Sequence, residues 1–107
     1  MTIDDLLRES YEIAELNGWH NIGMSFPEEI CRLHAEVSQA AKDYYAGRTV
    51  NEIYQELGNP CGVPIELANT FIRLAEICHR WNIGIEEAIK IKQAHNRNPP
   101  QRYGKKP

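Results

Sequence analysis

Glu36 and Gln39 stand three residues apart in the stretch Leu33-His34-Ala35-Glu36-Val37-Ser38-Gln39-Ala40, and Glu66 and Asn69 do the same in Pro64-Ile65-Glu66-Leu67-Ala68-Asn69. On a helix, positions i and i+3 share a face, so each stretch offers two oxygen-bearing side chains in one direction. Two such helices packed side by side bring these oxygens to one point. That is the arrangement a hard divalent cation requires.

The elements that must position them are helical. Ile3, Leu6, Leu7, Ile13, Ala14 and Leu16 recur at helical spacing, and Asn17-Gly18 ends that first helix. Trp19 to Met24 is a loop carrying Trp19 and His20, where an aromatic either stacks on a ligand or plugs the bundle end. Ser25-Phe26-Pro27-Glu28 has the form of a capping box with proline in the first turn, and it opens a helix that runs to about Ala46, stopped by Gly47. Ile30, Leu33, Val37, Ala40, Ala41 and Tyr44 form its core stripe, with Glu29, Arg32, Glu36, Gln39 and Asp43 as a polar stripe beside it.

Thr49 and Glu52 suggest a further short helix, broken by Gly58-Asn59-Pro60-Cys61-Gly62. Pro64 opens a helix to about Trp81 whose polar face holds Glu66, Asn69, Arg73, Glu76 and Arg80. A last helix spans about Ile85 to Asn96, and Asn98-Pro99-Pro100 ends it. No stretch has the alternation of a strand. The expectation is an all-α bundle of four to five helices over residues 1–97, with a basic, proline-containing tail at 98–107.

With 107 residues and 42% apolar content, one modest core is expected, and a second copy is the natural cover for any apolar face left over. Cys31, Cys61 and Cys78 are odd in number and lack metal-site spacing, which predicts reduced, packed residues in a cytoplasmic protein. No apolar run suggests a secretion signal or membrane span. The net charge is −3, yet the last twenty residues hold six bases and no acid. Such a tail is either a solvated terminus or a contact for phosphate, nucleotide or nucleic acid. The acidity of the rest ranks nucleic acid last.

Taken together the chain resembles the MazG-like all-α nucleoside triphosphate pyrophosphohydrolases over nearly its whole length. The resemblance is carried by Leu33 to Ala40 as quoted, Gly62-Val63-Pro64-Ile65-Glu66-Leu67-Ala68-Asn69, Glu86-Glu87-Ala88 with Lys92 and Asn96, and Arg102-Tyr103-Gly104-Lys105. It implies a MazG-like bundle completed as a homodimer or homotetramer. It also implies cleavage of a nucleoside triphosphate to the monophosphate and pyrophosphate, with Mg²⁺ held by Glu36, Gln39, Glu66 and Asn69. Lys92, Asn96, Arg102 and Lys105 match substrate-binding positions, and Trp19 with His20 are the candidates for contact with the base.

The chain departs from the family pattern where acids are expected, at Gln39 and Asn69, and where Arg is common, at Pro99. An amide oxygen can ligate Mg²⁺ but brings no charge, and it cannot act as a general base. Three outcomes follow. The amides are deliberate near-isosteres that trap substrate, or the chain is a catalytically silent nucleotide-binding or protein-interaction module, or a nearby acid compensates. Asp43, one turn beyond Gln39, is the best-placed substitute by helical geometry, with Glu29 and Glu76 behind it. His34, close to the apolar stripe, is expected to be packed and hydrogen-bonded rather than catalytic.

Overall fold

The computed structural model describes residues 1–19 and 23–100. Within them the chain is mostly helical, in the order α1 (Ile3–Leu16), α2 (Phe26–Tyr45), β1 (Tyr54–Glu56), β2 (Asn59–Cys61), α3 (Val63–Arg80) and α4 (Ile85–Arg97). The tail beyond Pro100, with Arg102 and Lys105, lies outside the described residues, as does His20.

Two helices start on full capping boxes. The Thr2 N–H donates to Asp5 Oδ2 at 3.1 Å and the Asp5 N–H to Thr2 Oγ1 at 3.0 Å. The Ser25 N–H donates to Glu28 Oε1 at 3.0 Å and the Glu28 N–H to Ser25 Oγ at 3.3 Å. These bonds, the backbone N–H of each cap residue foremost, hold the Asp5 and Glu28 carboxyls below their ordinary values of 3.8 and 4.5. An acid whose pKa is lowered by folding stabilises the fold above its ordinary value, and that stabilisation is lost as pH falls through the lowered one. Urea unfolding is therefore expected to show stability declining as pH drops below 4.5 and then 3.8. Asp5→Asn with Glu28→Gln should flatten this limb, and an unchanged slope would take the caps out of the acid response.

The linker between α2 and α3 corrects the sequence reading. Instead of a short helix after Thr49 there is an antiparallel hairpin, pairing Tyr54 with Cys61, Gln55 with Pro60 and Glu56 with Asn59. Its two-residue turn puts Leu57 at φ +52° and Gly58 at φ +80°. Two consecutive left-handed residues form the turn whose twist matches that of a strand pair. Glu52 does approach the Thr49 N–H, at 3.4 Å, as a helix cap would. Its other oxygen is held by Arg48, whose Nη1 lies 2.8 Å from Glu52 Oε2 and whose guanidinium sits 3.7 Å over the Tyr54 ring. The local cap signal is satisfied without a helix.

α3 is the central element, packed against α1 on one side and α2 on the other, with β2 against its start. Among the described residues the buried apolar core is small: Ala14, Val63, Ala75, Ile77 and Cys78. α4 buries none of its residues and makes sparse contact with the rest. On α2, the expected core stripe is covered only in part, with Ile30, Leu33 and Ala40 half-buried. Val37, Ala41 and Tyr44 are exposed, and the buried residue of that helix is Glu29. His34 is exposed as well, which overturns the packed histidine expected there. Cys31 is exposed, Cys61 intermediate and Cys78 buried, all three free.

Candidate functional site

α2 and α3 run antiparallel along a polar seam, fixed by two cross-links. Near the start of α2, the fully buried Glu29 carboxylate accepts from Arg80 Nη1 and from the Trp81 indole N–H. Seven residues further along α2, Glu36 meets Arg73, which lies seven residues before Arg80 on α3. Equal steps in opposite directions are what antiparallel helices with facing stripes demand. Arg73 Nε donates to both Glu36 oxygens at 3.1 Å, its Nη2 lies 2.9 Å from Oε1, and its Nη1 donates to Glu76 Oε2 at 3.1 Å.

Beside this cross-link opens a cleft of about 260 Å³ lined by Trp19, Glu36, Glu66, Asn69, Ile72, Arg73 and Glu76. The lining comes from the loop after α1, from α2 and from α3. Trp19 is held there partly by its backbone, whose N–H donates to the Ala14 carbonyl at 2.7 Å. Glu66 reaches the cleft from the first turn of α3. The preceding Gly62 lets that turn begin against the hairpin: a Cβ at Gly62 would sit 2.2 Å from the Glu52 carbonyl oxygen.

The residues singled out in the sequence divide accordingly. Trp19, Glu36, Glu66 and Asn69 share the cleft. Gln39, exposed one turn beyond Glu36, is not among its lining residues. Lys92 and Asn96 are exposed on α4. Among the three acids considered as substitutes, Glu76 lines the cleft. Asp43 instead lies near Arg48 and Tyr54 at the hairpin, where its charge acts on both, and Glu29 is committed to Arg80. The ranking that placed Asp43 first is reversed by packing.

Arg73 is the residue the sequence reading left without a role, although it falls on the polar face with Glu66, Asn69 and Glu76. Hydrogen bonding to Glu36 raises the pKa of its guanidinium further. Burial pushes the Glu76 carboxyl above the usual carboxylate value, against the pull of Arg73 and Arg80. Glu76 is thereby a stronger base than an exposed glutamate.

Among the described residues lining the cleft, the donors open to a hard divalent cation are oxygens: the carboxylates of Glu36, Glu66 and Glu76 and the amide oxygen of Asn69. The donor chemistry fits such an ion. The arrangement differs from a closed metal cage, because among the described residues no three Asp, Glu, His or Cys side chains stand together at metal-holding distance. The seat between Glu36 and Glu76 is taken by the Arg73 guanidinium. Comparison with protein families, with characterised proteins and with solved structures finds no match for the chain. Among the described residues no helix is long and apolar enough to cross a membrane.

Proposed function

We propose that the chain is a Mg²⁺-dependent nucleoside triphosphate pyrophosphohydrolase of the MazG-like type, working from the cleft between α2 and α3. The observation that carries this reading is convergence: Trp19, Glu36, Glu66 and Asn69, chosen from spacing and resemblance, line one cleft although they come from three separate parts of the chain. In this reading Glu36, Glu66 and Asn69 would hold the ion, with Gln39, one turn beyond Glu36, as the further oxygen donor. Bound there, Mg²⁺ neutralises the triphosphate and polarises its phosphoryl oxygens.

The chain's own residues supply the rest. Trp19, 60% exposed at the rim, offers an aromatic face to the base. Glu76, with its raised pKa, takes the proton from the attacking water, the role that Gln39 and Asn69 cannot fill. Lys92 on α4, with Arg102 and Lys105 of the tail, balances phosphate charge, and Asn96 adds a polar contact. Pyrophosphate release from a panel of nucleoside triphosphates, with and without Mg²⁺, tests the reading. Metal-dependent release is expected, and Gln39→Glu with Asn69→Asp should raise it about tenfold or more by restoring two ligand charges. No release by either protein, both folded, would end the hydrolase reading.

One observation favours a second reading, a nucleotide-binding or protein-interaction module without turnover: Arg73 already neutralises the carboxylate that hydrolysis would need. Such a module binds nucleotide or a partner protein but releases no pyrophosphate.

The assembly that the resemblance implies has its own support. Leu67, Phe71 and Leu74 expose one stripe of α3, and Val37, Ala41 and Tyr44 expose another on α2. The radius of gyration is 16.7 Å, against about 13 Å for a compact chain of this length. A homodimer or homotetramer covers these stripes. Sedimentation should give a multiple of 12.3 kDa, reduced to the single chain by Phe71→Glu. A monomer in the unmodified protein would refute the assembly.

A further inference from the structure

Arg73 holds a position that a purely structural arginine does not need. Its guanidinium crosses the α2–α3 seam as that of Arg80 does, but it also lines the open cleft, where it is 22% exposed. It ties up both oxygens of Glu36 and one of Glu76, two of the cleft's three carboxylates. Among the described residues, Nε donates to Glu36 and Nη1 to Glu76, while Nη2 makes an ion-pair contact with Glu36 at 2.9 Å. Two of the five guanidinium N–H groups remain for another acceptor. A planar fork of this kind suits phosphate oxygens as well as carboxylate oxygens.

We propose that Arg73 is a phosphate-binding residue held in reserve: an internal cation that occupies the carboxylates in the free protein and turns to the substrate's phosphates when Glu36 is taken over by a divalent ion. This rests on reading the cleft as a nucleoside triphosphate site and adds to it a residue and an order of events. The charges make the exchange self-consistent. With Arg73 in place, Glu36, Glu66 and Glu76 carry one compensating charge between them. With Glu36 and Glu66 engaged by a divalent ion, the guanidinium would be held less tightly and would be free to meet the phosphates of the polyanion. Arg73 therefore opposes the ion and favours the phosphate, two effects of opposite sign from one side chain.

That opposition is the test. Mn²⁺ binding is read by electron paramagnetic resonance. Binding of an α,β-methylene nucleoside triphosphate with Mg²⁺ is read by calorimetry. Both are applied to the unmodified protein, Arg73→Gln and Arg73→Lys, each with folding checked by circular dichroism. Removing the guanidinium should tighten Mn²⁺ about tenfold and weaken the analogue about tenfold, the scale of one charge-assisted fork. Arg73→Lys, which keeps the charge and loses the fork, should move both quantities the same way by less, and it carries the test if Arg73→Gln does not fold. A variant that weakens both, or shifts neither, makes Arg73 a structural clamp and overturns the proposal while leaving the site reading intact. No Mn²⁺ binding by any of the three proteins would overturn both together.

Discussion

Glu29→Ala is expected to remove about 3–5 kcal/mol of folding stability, the cost of leaving one member of a buried ion pair without its partner. Glu29 is 1% exposed and Arg80 15%, and the indole N–H of Trp81 shares the same carboxylate. The substitution strands a guanidinium in the α2–α3 seam, where Arg80 Nη2 is already buried without a hydrogen-bond partner among the described residues. It also frees Trp81, which packs edge-on against Phe26 with ring centroids 5.5 Å apart. Small domains are stable by about 5–15 kcal/mol, and a buried apolar core of five among the described residues places this one low in that range. Urea unfolding followed by circular dichroism reads the loss. A cost under about 1 kcal/mol, the level of a solvated surface pair, would contradict the burial argument. Replacing both Glu29 and Arg80 with methionine should recover most of the loss, because the desolvation penalty disappears with the charges.

The second large effect is expected at Gly62. Its φ of +122° already disfavours any side chain, and an added Cβ would lie 2.2 Å from the Glu52 oxygen, 3.2 Å from the Glu52 carbonyl carbon and 3.4 Å from Ile53 Cα. All three are backbone atoms, so no rotamer change relieves the contact. Gly62→Ala must push the hairpin away from the start of α3, at an expected cost above about 3 kcal/mol. Gly58→Ala provides the comparison. Gly58 also has positive φ, at +80°, but an added Cβ there meets nothing within 4 Å. Its cost should stay near the 1–2 kcal/mol of the left-handed backbone alone, roughly. Equal losses at the two positions would assign the effect to φ and not to the close approach. The consequence reaches the cleft, since Gly62 precedes the turn of α3 that presents Glu66, and its carbonyl accepts the Glu66 N–H at 3.0 Å.

The four helices among the described residues, and their ends, follow from short-range chemistry and are legible as such. Ser25 and Glu28 close a capping box through neighbours three residues apart, and Gly47, Pro64 and Asn98 act where they stand. The i, i+3 pairing of Glu66 with Asn69 needs nothing beyond helical periodicity. The same local logic misled at Thr49 and Glu52. There the cap contact forms at 3.4 Å, yet Arg48 and the left-handed pair Leu57-Gly58 send the chain into a hairpin.

What the tertiary structure alone decided is which polar residues meet across the seam. Periodicity placed Glu29, Glu36, Gln39 and Asp43 on one stripe of α2 without distinguishing among them. Packing against α3 buried Glu29 on Arg80, joined Glu36 to Arg73, left Gln39 exposed and gave Asp43 to the hairpin. It also chose Glu76 over Asp43 as the cleft's third carboxylate. Position along a helix depends on bonds four residues long, whereas the partner across a seam depends on how two helices slide and rotate against each other. That register is fixed only when both are packed.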